Sequence, residues 1–278
     1  MLFYTRRDYI AHKQNGGLLH LQRFQTQEKE WSRKKALKEW NKRVNALKDL
    51  PQKLRKSKRV TKEQKRYSNL KNILLSCSER TPCLSLACTK CLYYNNIVLV
   101  DEVLHQFRDS KKLYFFTLLS PSGGICEDKL HDYHSCDLYD EFMRVAKPVI
   151  KHIKKAVLLA ETKWSLKKKR WIMHVHIVCS LYNVKAFHEC LKAYYCGDRA
   201  CQIKPESLRD KHDRVRMCGY VMKMTTYTSS GLGKQKKRPV HHIERKHLMW
   251  LHEKRLDMLL FSFGFKFKNS MRQFDSKT

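Results

Sequence analysis

Apolar positions fall into two rhythms along the chain, one near 3.6 residues and one of two, and the rhythms come in blocks. From Glu28 to Leu50, Trp31, Leu37, Trp40, Val44 and Leu47 recur at helical spacings with Lys and Arg on the other faces, and Pro51 ends the run. Residues 1–26 show no clear period, and Gly16-Gly17 predicts a loosely ordered start. The run PQKLRKSKRVTKEQKR (51–66) reads as a linker or a solvated helix, and LYYNNIVLVDEVLHQF (92–107) as a helix. LYFFTLL (113–119) is a β-rich stretch closed by a Pro-Ser-Gly-Gly turn, which predicts a buried strand. EFMRVAKPVIKHIKKA (141–156) reads as a helix interrupted at Pro148. KAVLLAETKW (155–164) and RWIMHVHIVCS (170–180), joined by the basic turn SLKKK, predict a hairpin. Helices are expected at 184–194, around 215–226, and over HIERKHLMWLHEKRLDMLL (242–260).

That order predicts an α+β fold, an antiparallel β-sheet with helices packed on one face, flanked by basic helical arms. Four segments follow: a basic, largely helical arm (1–76), a cysteine-rich module with its helix (77–112), a sheet core (113–230) and a basic C-terminal helical segment (231–278). On the second hairpin strand, Trp171, Met173, Val175 and Ile177 share one side, suited to covering helices. Ile172, His174, His176 and Val178 take the other, the expected working side.

Charge narrows the partner. Lys and Arg total 58 against 26 Asp and Glu, a net +32 that calls for a polyanion, nucleic acid first. No run of about 18 apolar residues exists and MLFYTRRDYIAHK has no signal-peptide core, so no membrane partner is expected. Eleven cysteines, an odd number, speak for thiols or metal ligands in a reducing, cytoplasmic setting rather than for a disulfide framework. There is no G-x-x-x-x-G-K-S/T phosphate loop, so the motif gives no sign of a helicase.

Three constellations carry possible chemistry. His174 and His176 project from one strand face and offer two imidazoles to one ion; Glu161, across the short turn, can add a carboxylate. Such a set leaves coordination positions open, as a catalytic Mg²⁺ or Mn²⁺ requires. Two half-buried structural histidines are the alternative. In MCGYVMKMTTY, Tyr220 and Lys223 share a helix face if the segment is helical. A phenol with a pKa near 10 is a poor nucleophile unless a neighbouring cation favours its ionised form, and Tyr-x-x-Lys is also a common structural pair. Cys77, Cys83, Cys88 and Cys91 lie within fifteen residues, the density of a closed, structural Zn²⁺ site, with buried free thiols as the alternative. His131, His134 and Cys136, and Cys196 with Cys201, lack convincing spacing. RPVHHIERKH (238–247) reads as a basic face with exposed histidines.

Taken together, FFTLL (115–119), HVH (174–176) and YVMK (220–223), in this order, with the C-x4-C-x2-C of Cys83, Cys88 and Cys91 upstream, resemble the HUH endonuclease superfamily. The closer likeness is to the rolling-circle replication initiators of small bacterial plasmids, and it covers about residues 77–225. It implies an HUH/RRM-like palm over 113–230 and a divalent ion held by His174, His176 and Glu161. It also implies that Tyr220 is the nucleophile, with Lys223 steadying the phosphate or the phenolate. The implied substrate is single-stranded or hairpin origin DNA, nicked to give a 5′-phosphotyrosyl bond and a 3′-OH primer, with a host helicase and DNA polymerase as partners. Related initiators carry a Glu four residues before the tyrosine; Arg216 stands there in this chain, leaving Asp213 or Tyr227 to serve termination. A single-tyrosine transposase or relaxase shares this chemistry. A non-catalytic, zinc-stabilised nucleic-acid binder fits the charge and the cysteines equally well. Convergence of His174, His176, Glu161 and Tyr220 on one cavity is the feature that separates them.

Overall fold

The structure, a computed structural model, describes residues 5–14, 33–48, 62–119, 124–133, 137, 140, 147, 149–194, 206–208, 211–221, 228–229, 238–254 and 256–267. Its helices are α1 (Arg6–Gln14), α2 (Arg33–Lys48), α3 (Lys62–Ser76), α4 (Thr89–Gln106), α5 (Val184–Tyr194), α6 (Lys211–Val221) and α7 (His241–Glu253). Its strands are β1 (Leu113–Leu119), β2 (Ile125–Cys126), β3 (Ile153–Ser165), β4 (Arg170–Leu181), β5 (Glu206–Leu208), β6 (Thr228–Ser229) and β7 (Leu260–Phe263). Among the described residues no helix is long and apolar enough to cross a membrane.

The seven strands form one sheet in the order β5-β1-β4-β3-β6, with β2 beside β4 and β7 beside β3. Every pairing is antiparallel except β3 with β6. The fold is therefore α+β, with the β3–β4 hairpin at its centre. Gly124 enters β2 at φ +103°, and a Cβ there would come within 2.6 Å of the Trp171 carbonyl, so only glycine fits this approach to β4.

Helical cover lies on both faces of the sheet rather than on one. Phe116 meets Phe187 of α5 edge to face at 5.1 Å, whereas Phe115, pointing the opposite way, joins the larger apolar cluster containing Leu99 and Val103 of α4. Trp171, Met173, Val175 and Ile177 are buried on one side. On the histidine side, Val157, Leu159 and Val178 are buried too, which the polar character of the two imidazoles conceals. Among the described residues, Glu161, Lys163, Ile172 and His174 near the hairpin end of this face are partly exposed.

Several local expectations change. Residues 6–14 form a helix because Thr5 and Asp8 make a reciprocal cap: the Thr5 backbone N–H donates to the Asp8 carboxylate at 2.7 Å and Asp8 N–H donates to Thr5 Oγ1 at 3.3 Å. The run 51–66 contains the start of α3, whose Tyr67, Leu70 and Leu74 are core residues; 51–61 lie outside the described residues. The expected helix over 141–156 gives way to strand β3 from Ile153, where pairing with Leu181 overrides the helical spacing. The C-terminal helix stops at Glu253, and Leu260–Phe263 instead pair with Ala156–Leu159, so the segment 231–278 supplies a strand to the sheet. In RPVHHIERKH, His241 and His242 are exposed, but His247 is buried between the Trp171 and Trp250 rings at 5.0 and 5.7 Å. His134, Cys136, Cys196 and Cys201 lie outside the described residues.

Candidate functional site

Strand pairing places Glu161 directly opposite His174 and Leu159 opposite His176. Side chains on one face of neighbouring strands reach one another, and His176 Nε2 lies 3.0 Å from Glu161 Oε2. On its other side the His176 ring is held by β1, where Thr117 Oγ1 lies 2.8 Å from Nδ1 and Phe115 stacks at 6.0 Å. The His174 and His176 rings are nearly parallel, 6.2 Å apart and inclined by 17°. Burial, the larger effect, pushes the His174 imidazole down to about 4 against the pull of Glu161, so it stays neutral at physiological pH. Its buried Nδ1 has no hydrogen-bond partner among the described residues.

Two imidazoles and a carboxylate share this sheet face, but their ligand atoms do not all lie within 4.8 Å of one another. The set is loose. Among the described residues, Cys77, Cys83, Cys88 and Cys91 form the one group of three or more His, Cys, Asp or Glu side chains whose ligand atoms all lie within 4.8 Å of one another.

Tyr220 belongs to α6, which packs against β4, the histidine strand, and against α4. Its side chain, with Lys223 and Tyr227, lies outside the described residues. Asp213, on the first turn of α6, is paired with Arg216 at 3.2 Å. Sequence reasoning passed over Thr117. Its signal was the one aliphatic hydroxyl in the apolar strand LYFFTLL, which pairing then sets opposite His176.

The cysteine module is compact. Cys77 follows α3, Cys88 caps α4 and Cys91 sits in its first turn, so two helix ends and the loop between them converge. Sulfur separations are 3.4 Å for Cys77–Cys91, 3.6 Å for Cys77–Cys88 and 3.8 Å for Cys83–Cys91. A tetrahedral ion with metal–sulfur bonds of ~2.3 Å has sulfur–sulfur edges of ~3.8 Å. Leu84 adopts φ +52°, and the Ser85 backbone N–H that follows donates to the Cys83 sulfur. Thiol hydrogen bonds from Cys83, Cys88 and Cys91 hold Cys77 far below the usual thiol range, and bonds to Cys77 hold Cys88 and Cys91 well above it. The cluster cannot ionise as a whole without a cation in its midst, and four sulfurs so placed can hold a metal ion such as zinc. Comparison with protein-family models, with curated proteins and with solved structures finds no match to this chain.

Proposed function

We propose that the protein is a rolling-circle replication initiator that nicks and rejoins origin DNA through Tyr220. The observation that carries this reading is the cross-strand set of His174, His176 and Glu161 on β3 and β4, with the Tyr220 helix packed against β4. The ordered sequence motifs and the +32 charge support it from a separate direction.

In this reading the Tyr220 hydroxyl attacks a phosphodiester of single-stranded or hairpin origin DNA. The phenolic oxygen–phosphorus bond forms as the phosphorus–O3′ bond breaks; the phenol gives up its proton, and the departing oxygen takes one up to leave as a 3′-OH. Lys223 steadies the phosphate or the phenolate. His174, His176 and Glu161 would hold a Mg²⁺ or Mn²⁺ ion, which supplies charge withdrawal at the phosphate when bound. Because transesterification conserves bond energy, attack by a 3′-OH on the phosphotyrosine restores the strand. A host polymerase extends the primer and a separate helicase opens the duplex. The four cysteines hold a structural Zn²⁺ that fixes the amino-terminal helices to α4.

A second reading is favoured by one observation, the convergence of the cysteine ligands alone: a zinc-stabilised nucleic-acid-binding protein without catalysis. Incubating purified protein and Mn²⁺ with a hairpin oligonucleotide and resolving the products under denaturing conditions decides between them. The initiator gives a protein–DNA adduct that disappears in Tyr220→Phe while binding is retained. Absence of an adduct from wild-type protein that binds the oligonucleotide leaves the second reading.

A further inference from the structure

A cavity of about 250 Å³ opens beside the cysteine module, between α1, α2 and the first turns of α4, and it shares no lining residue with the histidine–carboxylate set. Its walls combine aromatic rings with cationic side chains. Tyr93 and Tyr94 stand edge to face at 5.1 Å, with Tyr9 leaning on Tyr94 at 5.4 Å, so the wall is aromatic and rigid. Around it are three cations, Arg6, Arg33 and Lys90, and one carboxylate, Glu79.

Glu79 organises that charge. It takes Arg6 at 2.9 Å and Arg33 at 2.6 Å and accepts the Tyr94 hydroxyl at 2.7 Å. Each guanidinium carries five N–H donors and Glu79 occupies part of one fork, so both retain donors for a second anion. Lys90 stands 3.5 Å from the centre of the Trp40 ring and the same distance from the Cys77 carbonyl, which fixes its ammonium at the cavity floor. Arg6, Arg33 and Lys90 outnumber Glu79 on a wall that also includes Cys77 and Cys91 of the cysteine module, and the aromatic and aliphatic sides suit a flat ring carrying a phosphate.

We propose that this cavity binds one nucleotide of a single strand, its base against Tyr93 and its phosphate between Arg33 and Arg6. Stacking on neighbouring bases covers the base faces in a duplex, so an aromatic pocket of this size selects an unstacked base. The site lies at the amino-terminal end of α4, whose 18 residues span roughly 27 Å, while Gln106 at the other end meets β3 through Lys155. It would hold the strand at a distance from the point of cleavage. The inference rests on the nucleic-acid reading of the chain and names a further contact within it.

The test uses the full chain in a Tyr220→Phe background, so that covalent capture does not enter. Binding of a fluorescent short oligothymidylate is followed by anisotropy over a salt series, with competition by thymidine monophosphate and by an acidic peptide of matched charge. Tyr93→Leu should weaken binding about five- to a hundredfold while Tyr93→Phe stays near the parent. Arg33→Gln should flatten the logarithmic salt slope by about 0.7. Zinc content and thermal midpoint, unchanged in these variants, separate a lost contact from a lost fold. Parent-like affinity and salt slope in both Tyr93→Leu and Arg33→Gln would overturn the cavity assignment and leave the nucleic-acid reading intact. No binding by the parent would remove that reading itself. Equal competition by the acidic peptide, or binding of the free nucleotide alone, also overturns the single-strand site.

Discussion

Thr117 Oγ1 lies 2.8 Å from His176 Nδ1, on the ring nitrogen opposite the one that meets Glu161. A hydroxyl both donates and accepts, so Thr117 can serve either neutral tautomer of the ring. When Nδ1 carries the proton, Thr117 Oγ1 accepts that hydrogen bond, and the unprotonated Nε2, beside Glu161, is the nitrogen that would face an ion. The strand that the sequence marks only by FFTLL thereby positions the central imidazole of the set.

Thr117→Val keeps the volume and β-branching of the side chain and removes that service. If His176 ligates Mn²⁺ as proposed, the affinity measured by calorimetry should fall about 10- to 100-fold, the usual cost of losing the partner that orients a ligating histidine. Thr117→Ser should restore most of it. A Val variant with wild-type Mn²⁺ affinity would mean that the ring needs no such partner.

The cysteine module makes a prediction that does not depend on catalysis. One zinc per chain should be released by strong chelation or by Cys88→Ser, with a fall in thermal midpoint, because site formation and local folding are one event. Cobalt should replace zinc and give the visible absorption of a tetrahedral thiolate site. A zinc-free protein with an unchanged midpoint would show that the four thiols are only core residues.

Stability should fall in acid through His247. Burial, reinforced by the positive charge of Arg43, pushes this imidazole down to about 3 from the ordinary 6.5. Between those values the unfolded chain binds a proton that the folded chain refuses. The contribution is therefore complete above about pH 6.5 and is lost progressively as pH falls toward 3, at up to ~1.4 kcal/mol per pH unit. His247→Phe keeps the stack between Trp171 and Trp250 but has no proton to take. Urea unfolding at pH 7, 5.5 and 4.5 should give a shallower pH slope for the variant, even though the Thr162 hydroxyl, 2.7 Å from His247 Nε2, loses its partner and lowers stability throughout.

What could be read from sequence was what local rhythm decides. The β3–β4 hairpin announced itself by two β-rich runs across a basic turn, and with it the pairing of Glu161 with His174. α4 was equally plain, an apolar run too long for a strand. β7 was not, since Leu259 and Leu260 extend the spacing of the preceding helix and only the edge of β3 makes Leu260–Phe263 extended. The cap that starts α1 was written in Thr5-x-x-Asp8, a signal missed beneath the absent period. His247 was hidden by composition: Ile243, His247 and Trp250 form one buried helical stripe inside a segment that reads as basic.

That stripe brings with it a partly buried ion cluster that ties α2 and α7 to the cysteine loop. Glu244 has no exposed surface, and Arg238 donates to it through Nε at 2.8 Å while also meeting Glu39 of α2 at 3.0 Å. Arg43, equally buried, reaches the Ala87 carbonyl at 3.0 Å, next to Cys88. Removing Arg238 leaves the Glu244 carboxylate buried without its cation, and Arg238→Met should cost about 3–5 kcal/mol in urea unfolding. Replacing both partners removes the stranded charge as well, so Arg238→Met combined with Glu244→Leu should recover most of the loss. An Arg238→Met protein as stable as wild type would show that Glu244 finds another cation, and would detach the docking of α7 on α2 from this pair.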